Sequence, residues 1–206
     1  MHGRDVHAAT ARDIFGLRPE DPVDDEQRRV AKTVNFGIVY GQTPFGLAGQ
    51  LGIPQHQAKE FIGRYMARYS GVTRWIDETI HRARKEGYVT TLLQRRRYLP
   101  EINASNQSVR GFAERTAMNT PIQGTSADII KVAMGGVARL IEKKKWKTRM
   151  LLQVHDDLLF EVPEGELDEV APAVKSAMES AVALDVPVVA DIKKGVNWAE
   201  MEKVTP

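Results

Sequence analysis

Four side chains of complementary chemistry recur at four-residue intervals: Arg28, Lys32, Phe36 and Tyr40. On an α-helix, at about 1.5 Å rise per residue, they form a slowly drifting stripe about 18 Å long. Val30, Val34 and Ile38 fall on the opposite side, so one face is left for a core and the other carries two cations followed by two rings. Cations bind phosphate oxygens and rings stack on a base and its sugar, so this order suits a nucleoside triphosphate lying along the helix. An ordinary amphipathic helix with cations and aromatics at its boundary has the same spacing and stays open as the alternative. A second cluster, His155-Asp156-Asp157, lies in QVHDDLLFEV, residues 153–162. Phosphoryl transfer from a triphosphate uses carboxylates to hold two divalent ions roughly 3.5–4 Å apart, and acidic groups at a rigid tip suit that task. A polar turn is the alternative there.

The elements that must position these groups can be read from periodicity and punctuation. Asp24 with Gln27 three residues later forms a helix-start pattern, and the run to Tyr40 ends at Gly41, a natural helix stop. Helices also fit residues 54–69, 72–85, 106–119 and 125–145, where apolar residues return every three or four positions. Pro121 is expected to break the chain after Asn119, which places Gln123 at the start of the next helix. The apolar runs 149–154 and 158–162 flank the His-Asp-Asp cluster as a β-hairpin, anchored by Leu151, Leu152, Leu158 and Phe160. A helix over 166–183 and a strand over 186–192 would complete a small β-α-β layer. The fold class is therefore α+β, mostly helical, followed by part of a sheet.

Composition narrows the chemistry. With 206 residues, 42% of them hydrophobic, the chain can bury a sizeable core. No stretch approaches the roughly 18–20 apolar residues of a membrane span, and MHGRDVHAATARD lacks the apolar core of a signal peptide, which predicts a cytoplasmic protein. The absence of cysteine excludes disulfides and thiolate metal sites, so carboxylates and five histidines remain as ligands, suited to a hard ion such as Mg²⁺. The net charge of +2 conceals an asymmetry: residues 1–163 carry 25 Lys+Arg against 18 Asp+Glu, and residues 164–206 carry 4 against 9. A basic body of +7 beside an acidic segment of −5 suits a protein that meets a polyanion on one side. An uneven solvated surface is the other explanation.

The string RRVAKTVNFGIVYG, residues 28–41, closely resembles the fingers signature of family A DNA polymerases. That resemblance assigns Lys32 to the triphosphate, Arg28 to the phosphates or to closed-state contacts, Phe36 to sugar and base, and Tyr40 to the templating position. His7, in DVHAATA, matches the segment before the fingers, where a histidine contacts the incoming phosphates. QVHDD is similar to the motif whose tip is His-Asp-Glu, which makes Asp156 a metal ligand, places His155 near the primer terminus and puts the shorter Asp157 in the supporting position. Inside the helix, Gly37 costs roughly 1 kcal/mol relative to Ala, so either something approaches the backbone there or the helix bends.

LLQRRRYLP (92–100) and RTAMNTPIQGTSAD (115–128) also match family patterns. They imply DNA contacts from Arg95, Arg96 and Arg97, and minor-groove contacts from Arg115, Asn119 and Gln123, where donors sense acceptors shared by all correct pairs. A solvated edge is the alternative for three arginines beside a strand, and helix capping is the alternative for the Asn and Gln. Gln94 stands where the family has Gly. The resemblance implies a right-hand polymerase with a fingers region over 1–145 and the C-terminal part of the palm over 146–206. Its substrates would be deoxynucleoside triphosphates and primer-template DNA, with two Mg²⁺ ions, in a nucleoid-associated enzyme of replication or repair. The family's upstream palm segment, Asp-Tyr-Ser followed shortly by Glu, whose Asp supplies the second essential metal ligand, does not occur in this sequence. The chain is therefore expected to be a fragment that needs the missing N-terminal polymerase segment to act. A non-catalytic nucleic-acid-binding remnant and a single-subunit RNA polymerase are the rival readings, and Phe36 with QVHDD favours the DNA enzyme.

Overall fold

The structure, a computed structural model, describes residues 5–204. The chain divides into two compact units, Met1–Ile122 and Gln123–Pro206. The first is built on helices α1 (Val6–Phe15), α2 (Asp25–Val39), α3 (Pro44–Leu51), α4 (Gln55–Arg68) and α5 (Ser70–Glu86). A short antiparallel hairpin follows, β1 (Tyr88–Thr90) with β2 (Arg96–Tyr98). Helix α6 (Gln107–Lys144) begins in the first unit and ends in the second. The second unit continues with the antiparallel pair β3 (Arg149–Val154) and β4 (Asp157–Glu161), helix α7 (Leu167–Glu179), and the pair β5 (Lys193–Asn197) and β6 (Glu200–Lys203). Among the described residues no helix is long and apolar enough to cross a membrane.

Helix α2 forms where the sequence marks its ends. The Asp24 carboxylate accepts from the Gln27 N–H at 2.7 Å, and the Gln27 side chain accepts from the Asp24 N–H at 3.1 Å, a complete capping box. At the other end Gly41, at φ +70°, donates to the Ile38 carbonyl and Gln42 donates to the Gly37 carbonyl, the paired bonds of a Schellman stop. The apolar side packs into the core of the first unit: Ala31, Val34 and Ile38 are buried with Ala11, Ile14, Leu47 and Phe61, and Val30 packs against them.

Four expectations fail here. Helix α6 runs through Pro121. The proline forfeits one bond to the carbonyl four residues back, but Ala113, Ala117 and Met118 before it and Ala133 and Val137 after it are buried, so packing on both sides outweighs that loss. The strand over 186–192 does not form, because Pro187 offers no N–H and the Ala190 N–H goes to the Glu179 carboxylate at 3.0 Å. Among the described residues the sheets are accordingly three separate two-stranded pairs rather than part of a β-α-β layer. Leu151 and Leu152 do not anchor the β3–β4 hairpin, since they are 46% and 50% exposed. A bulge at Leu151 shifts the register, and Met150 and Phe160 instead pack against Val137, Val170 and Val174. The helix expected over 166–183 is also shorter. Glu166 lies outside it and accepts from the Lys147 and Thr148 N–H groups at 2.8 and 3.0 Å, tying the turn before β3 to the start of α7.

Candidate nucleotide-binding face and carboxylate hairpin

On α2 the exposed stripe is present as side chains: Phe36 is 45% and Tyr40 37% exposed, and their rings stack with centroids 6.0 Å apart. Lys32 is exposed and has no ion-pair partner among the described residues. Lys32, Phe36, Gly37 and Tyr40 line an open groove of 770 Å³, completed by Gln42 and Arg115. Arg28 lies off this groove, where its Nε meets the Asp5 carboxylate at 2.7 Å. That hydrogen bond from Arg28 holds the Asp5 carboxyl below its ordinary range. Asp5 also caps α1 by accepting from the His7 and Ala8 N–H groups, so one carboxylate fixes the start of α1 against the cationic turn of α2.

His7 thereby reaches the same face, its ring 5.9 Å from that of Phe36. Its Nδ1 lies 2.9 Å from Asn35 Nδ2, and Asn35 Oδ1 lies 3.0 Å from the buried Thr10 hydroxyl. Burial of the ring, followed by the charges of Arg28 and Lys32, holds the His7 imidazole below its ordinary range against the opposing pull of Asp5. Asp5, Thr10 and Asn35 were not picked out from the sequence. Asp5 carried a signal, an acidic residue just before a helical pattern. Asn35 and Thr10 carried none, because their partners lie 25 and 28 positions away.

Gly37 answers its own question. A Cβ there would fall 2.3 Å from Gln42 Oε1, so what approaches the helix backbone is the chain's own Gln42 side chain, which also donates to Gln50 at 2.9 Å.

In the second unit, Val154 pairs with Asp157, so the hairpin tip is the two residues His155 and Asp156. His155 has φ +55°, the sign that primed two-residue turns require at their first position. His155, Asp156 and Asp157 are exposed, and among the described residues the two carboxylates have no hydrogen-bond or ion-pair partner. Carboxylates with no thiolate nearby suit a hard cation, but the described residues contain no group of three or more His, Cys, Asp or Glu that could hold a metal. The hairpin thus offers part of a ligand set.

The DNA-contact candidates are spread out. Arg95, Arg96 and Arg97 are exposed at the β1–β2 turn and on β2. Arg96 lies 4.8 Å from the Tyr88 ring centroid, while Arg97 pairs with Val89 and so points to the other face of the hairpin. Arg115, Asn119 and Gln123 follow one another at four-residue steps along α6, Gln123 exposed and the other two half-buried. Asn119 Oδ1 is buried without a partner among the described residues.

Residues 1–200 match the family model for DNA polymerase family A. This chain belongs to DNA polymerase family A. It is 48% identical over 200 residues to the DNA polymerase I of Streptococcus pneumoniae, covering 97% of this chain and 23% of that relative. It is 50% identical over 196 residues to the DNA polymerase I of Geobacillus stearothermophilus, covering 95% and 22%. The structure of the POL domain of Pol1 from M. smegmatis, in complex with DNA primer-template and dNTP, superposes with a TM-score of 0.84 at 47% identity, over 90% of this chain and 32% of that one. The α+β architecture, mostly helical with small antiparallel sheets, is thus that of part of a family A polymerase domain. The chain spans less than a quarter of the length of these curated relatives.

Proposed function

We propose that this chain carries the incoming-nucleotide face and part of the metal-binding carboxylate set of a DNA-directed DNA polymerase, which adds deoxynucleoside triphosphates to a primer 3′ end. The observation that carries this reading is the α2 face, where Lys32, Phe36 and Tyr40 line one groove, the His7 ring lies 5.9 Å from that of Phe36, and Arg28 stands off the groove one turn before Lys32, paired with Asp5. Lys32 binds the triphosphate as an unpaired cation, Arg28 adds charge from its Asp5-held position, and Phe36 and Tyr40 stack against the nucleotide and the templating base. His7 meets the phosphates. Substrates seen with the M. smegmatis relative, primer-template and dNTP, are those this face suits.

Asp156 would hold Mg²⁺, with Asp157 in support, and the ion would supply charge neutralisation and Lewis acidity to phosphoryl transfer. Further carboxylates come from another segment of the polymerase, since the hairpin alone is an incomplete set. His155, Gln123, Asn119, Arg115 and the arginines 95–97 serve the primer-template, and the 1–145 and 146–206 regions correspond to fingers and palm. The enzyme works on the bacterial chromosome in the cytoplasm.

The test is equilibrium binding of a deoxynucleoside triphosphate to the 206-residue chain, with single-turnover incorporation by the complete polymerase that contains it. Saturable binding that Lys32→Ala weakens, together with incorporation that the same change slows, is the expected result. Binding indifferent to Lys32 overturns the nucleotide face, and primer extension that persists without Asp156 overturns the carboxylate assignment.

A further inference from the structure

Behind the nucleotide face lies a chain of polar groups that no phosphate or base would touch. Asn35 is 92% buried on the core side of α2, and Thr10, fully buried on α1, faces it. A buried amide or hydroxyl is costly unless bonded, so their persistence inside an apolar cluster calls for a function or a partner. The partners are present: Thr10 Oγ1 stands 2.9 Å from the Val6 carbonyl and 3.0 Å from Asn35 Oδ1, and Asn35 Nδ2 stands 2.9 Å from His7 Nδ1. The Tyr69 hydroxyl, just past α4, reaches Thr10 at 3.5 Å and the Asp13 carboxylate at 3.5 Å.

We propose that Asn35, oriented by Thr10, is a positioning residue that makes His7 Nδ1 a hydrogen-bond acceptor and so keeps the imidazole neutral, with its proton on Nε2. The logic is donor and acceptor accounting. The Thr10 hydroxyl has one proton for the Val6 and Asn35 carbonyls, and the Val6 carbonyl is the i−4 acceptor of the Thr10 N–H within α1. With the hydroxyl proton on the Asn35 carbonyl, the Asn35 NH₂ faces His7, and an N–H aimed at Nδ1 leaves no place for a proton there. Protonation of His7 would set two donors against each other. The surrounding charges act in the same sense on balance: Arg28 and Lys32 from α2 oppose a positive ring, and Asp5 at the N-cap of α1 favours one. Linkage gives the sign. A histidine whose folded-state value is depressed contributes stability above its ordinary value of about 6.5, and that stability is lost as pH falls towards the depressed value.

The consequence for the site rests on the nucleotide reading of this face. A neutral Nε2–H donates one directed hydrogen bond to a phosphate oxygen while Lys32 and Arg28 carry the charge. Orientation at His7 is then separated from charge neutralisation.

Nitrogen-15 NMR of the 206-residue chain tests this, with the His7 signals assigned by their loss in His7→Gln. In the parent chain a through-hydrogen-bond coupling joins Asn35 Nδ2 to an unprotonated His7 Nδ1, and His7 titrates below an unstructured histidine peptide. Asn35→Asp replaces the donor with a carboxylate, which reverses the tautomer and raises the proton affinity of His7 at least about tenfold. Thr10→Val releases the amide and moves the tautomer population, whereas Thr10→Ser keeps the hydroxyl and restores it. A protonated Nδ1 in the parent chain, which a flipped Asn35 amide would give, overturns the proposal, and that measurement needs no variant to fold. So does a His7 titration that Asn35→Asp leaves unmoved. Adding inorganic tripolyphosphate separates the two levels: with the tautomer as stated, an unperturbed Nε2 signal defeats the phosphate role and leaves the positioning role standing.

Discussion

Around α2, groups on and behind the candidate site are held by neighbours within the same unit. Asp5 grips Arg28, Asn35 meets His7, Thr10 meets Asn35, Gln42 covers Gly37, and a capping box and a Schellman stop fix both helix ends. The β3–β4 hairpin is supported on one side only. Met150 and Phe160 pack on Val137, Val170 and Val174, while Leu151, Leu152, Val154 and the whole tip are exposed. The first region is preorganised by its own fold, so its chemistry is testable on this chain alone. The second offers two exposed carboxylates, adjacent in sequence, that have no ion-pair partner among the described residues and form only part of a ligand set for a divalent ion.

The comparison is tested most severely at Asp156. In the complete polymerase, Asp156→Asn lowers single-turnover incorporation by more than about 100-fold, beyond the 10–100-fold typical of groups that merely orient a metal ligand. Triphosphate binding to the 206-residue chain stays unchanged, because the α2 face does not depend on the hairpin. Asp157→Asn costs about 10–100-fold, as befits a supporting residue, and Asp157→Glu is tolerated. A Mg²⁺ titration of each variant reads the difference. Near-native incorporation by Asp156→Asn would remove the hairpin from the mechanism.

Lys32→Ala is the converse experiment. A charge-assisted hydrogen bond to a phosphate contributes about 1.5–3 kcal/mol, so triphosphate affinity of the chain falls about 10–100-fold. Primer-template affinity is nearly unchanged, since the role proposed for Lys32 is on the triphosphate. If DNA and triphosphate affinity fell together, the face would be a general polyanion surface and the contrast with the hairpin would lose its meaning.

The same asymmetry decided what could be read in advance. Helix α2 was legible because its signals are local: a cap three residues from its partner, a four-residue stripe, a glycine stop. The hairpin was legible for the same reason, as two apolar runs around a polar tip. What escaped was non-local. Pro121 reads as a breaker until the buried residues on both sides of it in α6 are known. Leu151 and Leu152 read as anchors until a bulge assigns that role to Met150 and Phe160. The Thr10–Asn35–His7 chain leaves no mark, because nothing in a sequence says that an amide on one helix meets an imidazole on another.

Gly41 tests the preorganised side through stability. Ala at φ +70° costs about 1–2 kcal/mol from the left-handed conformation alone, and its Cβ would stand 2.2 Å from Met118 Cε and 3.0 Å from Arg115 Cγ. Denaturant unfolding of Gly41→Ala, followed by circular dichroism, should show at least that loss. Gly37→Ala meets only the end of the Gln42 side chain and gains roughly 1 kcal/mol of helix propensity, so it comes out close to neutral. Equal losses at both positions would mean that the Schellman stop contributes nothing particular to α2.

The smallest effect separates strain kept for function from strain that is only structural. Two hairpin turns place a non-glycine residue in the left-handed region: Gln94 at φ +65° between β1 and β2, and His155 at φ +55° between β3 and β4. The Gln94 N–H bonds to the Thr91 carbonyl and the Thr91 N–H to the Arg95 carbonyl, so the turn fixes that conformation whatever the side chain. Glycine adopts it without steric cost, and both Gln94→Gly and His155→Gly therefore stabilise by about 1 kcal/mol, less the entropy glycine gains in the unfolded chain. In the complete polymerase the two part company. Gln94→Gly leaves incorporation unchanged, while His155→Gly slows it, because the imidazole is lost beside Asp156 at the tip. Thermal melts paired with single-turnover rates read both quantities, and a His155→Gly enzyme that is more stable and equally fast would make the tip a polar turn after all.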